Sequence, residues 1–362
     1  MVPGFGPNFP QTMMTLRQWR KKPITMSASA SWYLADIMEA RGRQDLYLRQ
    51  SPQRLKVLRD HALIESAVSS NRMEGVQIEA SRLAAVMRGK SSLRDRDEEE
   101  IRGYRDALNL IHSKGAKLPF NEETILKLHY LSRGKTGDAG QYKKSDSNII
   151  EHSPDGRVRV RFHTVSARRS PGALREMLDA RKQCLEERWI HPIVAMAGTN
   201  LDFLCIHPFR DGNGRVSRLL LLLDAYHQGL EVGRYVSLEK LIEENKDRYY
   251  ETLEQSSHGW HEGKHDPWFY IQHALYLFKS ASTEFERRLN DMAPPRGEKT
   301  GMIIRMVDQF DEPFRVSDLI RMAPGVSIDT IRLVLKSLKN KGQIECLGRG
   351  QTARWNKLGP SS

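Results

Sequence analysis

The feature that most restricts how this chain can fold is a polar stretch of twelve residues, His207-Pro208-Phe209-Arg210-Asp211-Gly212-Asn213-Gly214-Arg215-Val216-Ser217-Arg218, set between two apolar runs. Residues 201–206 precede it and residues 219–223 follow it, and both runs read as buried. A loop carrying a histidine, an acid and three arginines is thus held between two segments of core, where a site is expected more than a surface. Gly212 and Gly214 permit positive φ and a close approach of backbone N–H groups to an anion, and a helix opening near Asn213 aims its positive dipole end the same way. Arg215 and Arg218 occupy neighbouring positions on one helix face and suit a polyphosphate. Asp211 is a hard oxygen ligand of the kind Mg²⁺ takes beside phosphates, and His207 is a natural proton acceptor for an incoming hydroxyl. The residue types together describe group transfer from a nucleoside triphosphate.

The stretch resembles the signature of the Fic family, His-x-Phe-x-(Asp or Glu)-Gly-Asn-Gly-Arg-x-x-Arg, and matches it at every fixed position. The resemblance implies transfer of AMP from ATP to a Ser, Thr or Tyr hydroxyl of a target protein. His207 would then be the general base and Asp211 the holder of Mg²⁺. Gly212, Asn213 and Gly214 would cradle phosphates, Arg215 and Arg218 would bind the β- and γ-phosphates, and Phe209 would anchor the loop by packing. Upstream, Ser51-Pro52 starts a helix expected to run to Gly75, and it closes with Ser69-Ser70-Asn71-Arg72-Met73-Glu74-Gly75. Ser70, Glu74 and Gly75 resemble the family's inhibitory pattern (Ser or Thr)-x-x-x-Glu-(Gly or Asn), in the class that carries its inhibitory helix N-terminal to the core. The implied logic is that Glu74 pairs with Arg218 and takes the place of the ATP γ-phosphate. The same site allows an alternative, removal of AMP from a modified protein with Glu74 orienting a water.

Between the two motifs, Gly140-Gln141-Tyr142 resembles the entry to the family's flap. Residues 148–150 and 157–162 read as short strands about a turn at Ser153-Pro154-Asp155-Gly156. Ile149 and Ile150 are the candidates for contact with a target backbone by strand addition. His191 reads as a helix cap before an apolar helix ending at Ile206, and Gly229 as the stop of the helix after the loop. A further helix over residues 239–253 carries Tyr249 and Tyr250, which resemble a tyrosine pair that holds adenine or ribose, although tyrosines so spaced also serve as core residues.

The sequence suggests a mainly α protein in four parts: an N-terminal helical region (1–115), a Fic-type helical core with a β-hairpin flap (116–290), a Pro/Gly-rich linker (291–300) and a last domain (301–358). In that domain three helical stretches and a strand pair about Gly348-Arg349-Gly350 resemble a winged helix-turn-helix. Ser327 would cap a recognition helix presenting Thr330, Arg332, Lys336 and Lys339, with Arg349 on the wing. DNA contact, dimerisation and docking of a target stay open for it, as does self-AMPylation, and a DNA-binding regulator with a nucleotide-sensing site is a further alternative. A net charge of +12 favours acidic partners, nucleotide or nucleic acid, without choosing between them. Three widely separated cysteines, Cys184, Cys205 and Cys346, suit a reduced, cytoplasmic protein, and no apolar run approaches the roughly 20 residues a membrane span needs.

Overall fold

The computed structural model describes residues 14–21, 24–50, 52–89, 92–134, 136–152, 158–291, 298–310, 312–323, 326–348, 350 and 353–358. The chain divides into two compact units, one of residues 1–45 and 55–289, the other of 46–54 and 290–362. The N-terminal region and the core expected as separate parts share the first unit, apart from residues 46–54 and the last residue of the expected core, Asn290.

That unit is built from helices α1 (Thr15–Lys21), the greater part of α2 (Ala28–Gln50) and of α3 (Pro52–Arg72), α4 (Ala80–Arg88), α5 (Arg96–Lys114) and α6 (Glu122–Arg133). A hairpin of β1 (Asn148–His152) and β2 (Val158–His163) follows, then α7 (Ser170–Glu186), α8 (Pro192–Ile206), α9 (Asn213–His227), α10 (Leu238–Glu244), α11 (Lys246–Ser257) and α12 (Trp268–Asp291). Its centre is the pair α8 and α9. Every residue from Ile193 to Ile206 is buried, and on α9 only Gly214 and His227 are partly exposed. A helix buried on every side has no solvent face to present, so α8 sits inside the bundle and delivers His207 from the core. Local chemistry sets the boundaries. Asp95 and Asn121 accept from the N–H groups of Glu98 and Thr124 at 2.9 Å each, and the His191 imidazole caps α8 through the Ile193 N–H at 3.3 Å.

Two element boundaries differ from the sequence reading. The helix expected over 239–253 is broken at Asn245, whose side chain bonds the Leu241 carbonyl at 3.3 Å and competes with the helical ladder. Helix α3 ends at Arg72 and not at Gly75, for a reason given below. In the hairpin the strands are antiparallel, with Ile149 opposite Phe162, Ile150 opposite Val160, and a bulge between Ile149 and Ile150. The proposed turn at 153–156 lies outside the described residues.

The second unit holds α13 (Glu298–Asp308), β3 (Phe314–Arg315), α14 (Val316–Met322), α15 (Ile328–Asn340), β4 (Ile344–Leu347) and β5 (Arg354–Lys357), with sheet order β3-β5-β4. Ile303, Phe314, Leu319, Ile331, Leu335 and Ile344 form its core. The expected strand pair is present, and β3 adds a third strand too short to show alternation in sequence. Ser327 caps α15 through the Thr330 N–H at 3.2 Å, and Arg332, Lys336 and Lys339 are exposed. So are Ile328 and Leu333, the latter 68 %. Arg349 and most of the linker lie outside the described residues. No helix among the described residues is long and apolar enough to cross a membrane.

Candidate active site

The loop between α8 and α9 is closed from within. Asn213 folds back so that its Oδ1 accepts from the Phe209 N–H at 3.0 Å and its Nδ2 donates to the Phe209 carbonyl at 2.9 Å. Its side chain is thereby spent on the loop, which leaves the backbone N–H groups around it as the donors an anion could meet. The fully buried Phe209 stacks on His129 of α6, ring centroids 3.8 Å apart and planes within 3°. His129 Nδ1 accepts from the Gly140 N–H and its Nε2 donates to the Asp211 carbonyl, both at 3.0 Å. Burial pulls the His129 pKa down to about 4, so the neutral ring that this pattern requires is the resting form. No spacing in the sequence connects His129 with a loop about eighty residues downstream.

His207 follows α8 at φ 52°, a left-handed conformation that a β-carbon disfavours, with its N–H still bonded to the Phe203 carbonyl at 3.0 Å. Its Nδ1 lies 3.2 Å from the Leu204 carbonyl, which holds the proton on Nδ1 and leaves the Nε2 lone pair available. Burial drives its pKa down to about 4, helped by the Lys143 ammonium and opposed by the Leu204 carbonyl, Glu74 and Asp211. At neutral pH the imidazole is uncharged and able to take a proton.

Opposite the loop, the end of α3 is shaped by one glycine. The Val76 N–H reaches back to the Asn71 carbonyl and the Gly75 N–H to the Arg72 carbonyl, both at 3.0 Å, with Gly75 at φ 82°. This is a Schellman turn, which needs a residue tolerant of left-handed backbone at the position of Gly75. Glu74 is the residue just before it, so the turn fixes where its carboxylate goes. Glu74 Oε1 lies 2.8 Å from Arg218 Nη2, and a β-carbon added to Gly214 would meet the same oxygen at 2.4 Å. Arg218, 3 % exposed, also donates from Nε to Ser70 Oγ at 2.9 Å and from Nη2 to the Ser70 carbonyl at 3.0 Å. Burial works against this charge, yet Glu74 and the Tyr104 and Tyr249 phenols outweigh it and raise the Arg218 pKa. The carboxylate therefore sits where the first turn of α9 and its last motif arginine would receive an anion.

A cavity of about 220 Å³ joins these parts. Glu74, His207, Gly214 and Arg218 line it on one side, and Tyr249 and Tyr250 of α11 on the other. Ile149 and Phe162 of the hairpin complete it, while Ile150 is half exposed. Arg161 of β2 lies over the Tyr250 ring, 5.6 Å from its centroid, and bonds Glu254 Oε2 at 3.2 Å, which ties the hairpin to α11. Burial pushes both phenols up, that of Tyr250 to about 12, so they act as neutral donors and rings. A larger cleft of about 370 Å³ elsewhere contains none of these groups; the chemistry and not the volume marks the site.

Arg215 is absent from that lining, against the expectation that it meets phosphate beside Arg218. It is 1 % exposed and engaged by Glu100 Oε2 at 2.6 Å and Asn71 Oδ1 at 3.3 Å. A buried guanidinium requires such a counter-charge, so its side chain serves as a strut between α9, α5 and α3. Asp211 is ringed by cations: Arg133 Nη1 at 2.8 Å, Arg96 Nη2 at 3.4 Å and Arg215 Nη2 at 3.7 Å. Among the described residues no group of three or more His, Cys, Asp and Glu could hold a metal alone. Mg²⁺ that draws most of its ligands from phosphates and water needs only a carboxylate, and Asp211, with its side chain 45 % exposed, fits that role.

The loop, the buried histidine and the glycine-lined helix start coincide with a match to a family profile. The profile described as Fic/DOC family covers residues 119–223. Those residues form a Fic/DOC family domain. Beyond the Fic domain the likeness extends along much of the chain. A Fic family protein from Desulfovibrio desulfuricans G20 superposes with a TM-score of 0.60 at 23% identity, over 94% of this chain and 99% of that one. A Fic domain containing signaling protein from Bacteroides thetaiotaomicron VPI-5482 gives 0.59 at 19% identity, over 72% of this chain and 99% of that one. In sequence, a protein adenylyltransferase Fic from Nematostella vectensis is 24% identical over 210 residues, 55% of this chain and 44% of the relative. The chain thus matches less than half the length of that curated relative.

Proposed function

We propose that this chain is an autoinhibited protein adenylyltransferase, which moves AMP from ATP to a hydroxyl of a target protein and is held at rest by Glu74. The observation carrying this reading is the Glu74 carboxylate seated on Gly214 and Arg218 in the same cavity as a neutral His207. The curated relative named as a protein adenylyltransferase supports the reaction class. Once Glu74 withdraws, Arg218 and the α9 N-terminus take the terminal phosphates, and Tyr249 and Tyr250 face the nucleoside. A target segment lies along β1 beside Ile149 and Ile150. The target oxygen attacks the α-phosphorus, its proton passes to His207 Nε2, and the bond from the α-phosphorus to the bridging oxygen breaks to release pyrophosphate. Asp211 would hold Mg²⁺, whose contribution is to neutralise charge building on the departing phosphates.

The test is labelling with isotopic ATP. Glu74→Gly should label itself or lysate proteins strongly, the unmutated protein weakly, and Glu74→Gly with His207→Ala should lose about 10²–10⁴-fold, the usual worth of a general base. An unlabelled Glu74→Gly protein sinks the proposal. Release of AMP from a labelled partner by the unmutated chain reads the reverse activity. For the second unit, three helices with a small sheet support a winged-helix reading. A duplex titration over a range of salt separates nucleic-acid contact through Arg332, Lys336 and Lys339 from protein contact at Ile328 and Leu333.

A further inference from the structure

Three arginines and two carboxylates form one network behind the phosphate loop. The buried Glu100 carboxylate accepts from Arg96 Nε and Arg133 Nη1 at 2.8 Å each on Oε1, and from Arg215 Nη1 at 2.6 Å on Oε2. Asp211 Oδ1 accepts from the Gly212 N–H at 2.5 Å, while its carboxylate faces the same three guanidinium groups. Two of the three cannot move cheaply. Arg133 and Arg215 are 4 % and 1 % exposed, and withdrawing either would leave a buried charge alone. Arg133 is further wedged, since a β-carbon on Gly212 would meet its Cδ at 3.0 Å, and it reaches Asp138 at 3.4 Å. Arg96 differs. It stands at the start of α5, its side chain is 58 % exposed, and its hold on Asp211 is the longer of the two contacts to Oδ2.

Resting on the adenylyltransferase reading, we propose that Arg96 is a further phosphate-site residue: it occupies Asp211 while the site is empty and turns to the departing pyrophosphate when a divalent cation takes Asp211. The network permits the exchange without orphaning a charge. Glu100 keeps Arg133 and Arg215, Asp211 would gain the cation, and the Arg96 guanidinium, which reaches Asp211 at 3.4 Å, would be freed beside the site. A flexible, exposed arginine with two fork-shaped donor pairs suits a tetrahedral anion that must bind and then leave. The exchange also supplies a function for Arg96 that its exposed place beside an already paired Glu100 does not.

Two binding experiments in the Glu74→Gly background test this, each on purified full-length protein. In the first, Mn²⁺ alone is titrated and free metal is read by electron paramagnetic resonance. Removing the competing guanidinium in Arg96→Ala should tighten Mn²⁺ several-fold. In the second, magnesium pyrophosphate is titrated by calorimetry; Arg96→Ala should weaken it about tenfold, the order expected for losing a charge-assisted bond, with Arg96→Lys in between. Pyrophosphate affinity unchanged in both variants overturns the proposal and leaves Arg96 a strut for Glu100. Unchanged Mn²⁺ affinity overturns the competition at Asp211. Should the Glu74→Gly parent bind neither ATP nor pyrophosphate, it is the adenylyltransferase reading that fails, and Arg96 with it.

Discussion

Exchanging Glu74 for glycine gives a magnitude that can be worked from the structure. Glu74 Oε1 and Arg218 Nη2 are 2.8 Å apart, with the arginine 3 % and the glutamate 24 % exposed in their side chains. A hydrogen bond to a charged partner contributes about 1.5–3 kcal/mol net, and the partial exposure of Glu74 places this one in the lower half. A terminal phosphate that must displace Glu74 is handicapped by that amount. Its removal should therefore tighten ATP by about 10- to 40-fold. Glu74→Gln keeps an acceptor oxygen without the charge and should fall between. The assay is calorimetric titration with Mg-ATP in a His207→Ala background, where turnover does not disturb the equilibrium. The same change strips a buried arginine of its counter-charge, so the apo variant should melt lower and regain the loss when ATP is added. If Glu74→Gly lowers the melting temperature while ATP affinity stays within about twofold of its parent, less than a single hydrogen bond accounts for, the carboxylate is a structural partner of Arg218 and does not stand in the phosphate's place.

Gly75→Ala meets no atom within 4 Å and so isolates the backbone cost of φ 82°. It should destabilise by about 1–2 kcal/mol in thermal melts, with Gly75→Asn milder, and should raise labelling because Glu74 loses its fixed position. His129→Phe preserves a ring on Phe209 but strips the bonds to Gly140 and Asp211; a loss of about 1–3 kcal/mol and weaker labelling are expected, and unchanged labelling would remove His129 from the loop's support. The folded-state pKa values of His129, His207, His265 and His273 are each lowered to about 4, burial being the first cause. The unfolded chain binds these protons near pH 6.5 and the folded chain does not, so their stability contribution is full above pH 6.5 and is lost as pH falls toward 4. Stability should fall steadily between pH 7 and 5, by up to about 2 kcal/mol for each histidine at pH 5, with the melting temperature dropping in step, and a flat melting profile would show that the rings protonate within the fold.

What could be read from the sequence follows the range of the interactions. The loop from His207 to Arg218 was legible because its parts lie within twelve residues and each residue type has a recognisable chemistry. The link from Glu74 to Arg218 spans 144 residues and was reached only through a family pattern; the Schellman turn that sets it up depends on a backbone angle at Gly75 that only the structure displays. The neighbours of Asn213 and Arg215 point both side chains to phosphate, yet the Phe209 backbone and Glu100 claim them. Arginine carries no mark of whether it will be buried against a carboxylate or left to a ligand. Glu100 lies among charged residues (Arg94 to Glu100) that nothing local marks for burial, and His129, Arg133 and Arg161 belong to no motif. The break at Asn245 and the two-residue strand β3 are too local for periodicity to register.

Helices α8 and α9 enclose the loop with scarcely any solvent-facing surface. Bending the loop would mean repacking the middle of the molecule, a far larger disturbance than a regulator can impose. On the proposed autoinhibited reading, control comes from occupancy, from which group is plugged into a socket whose walls stay fixed. In that reading the last turn of α3 supplies one plug, aimed by the turn at Gly75. A switch so built can be retuned by changes many residues from the chemistry while the catalytic geometry is inherited untouched.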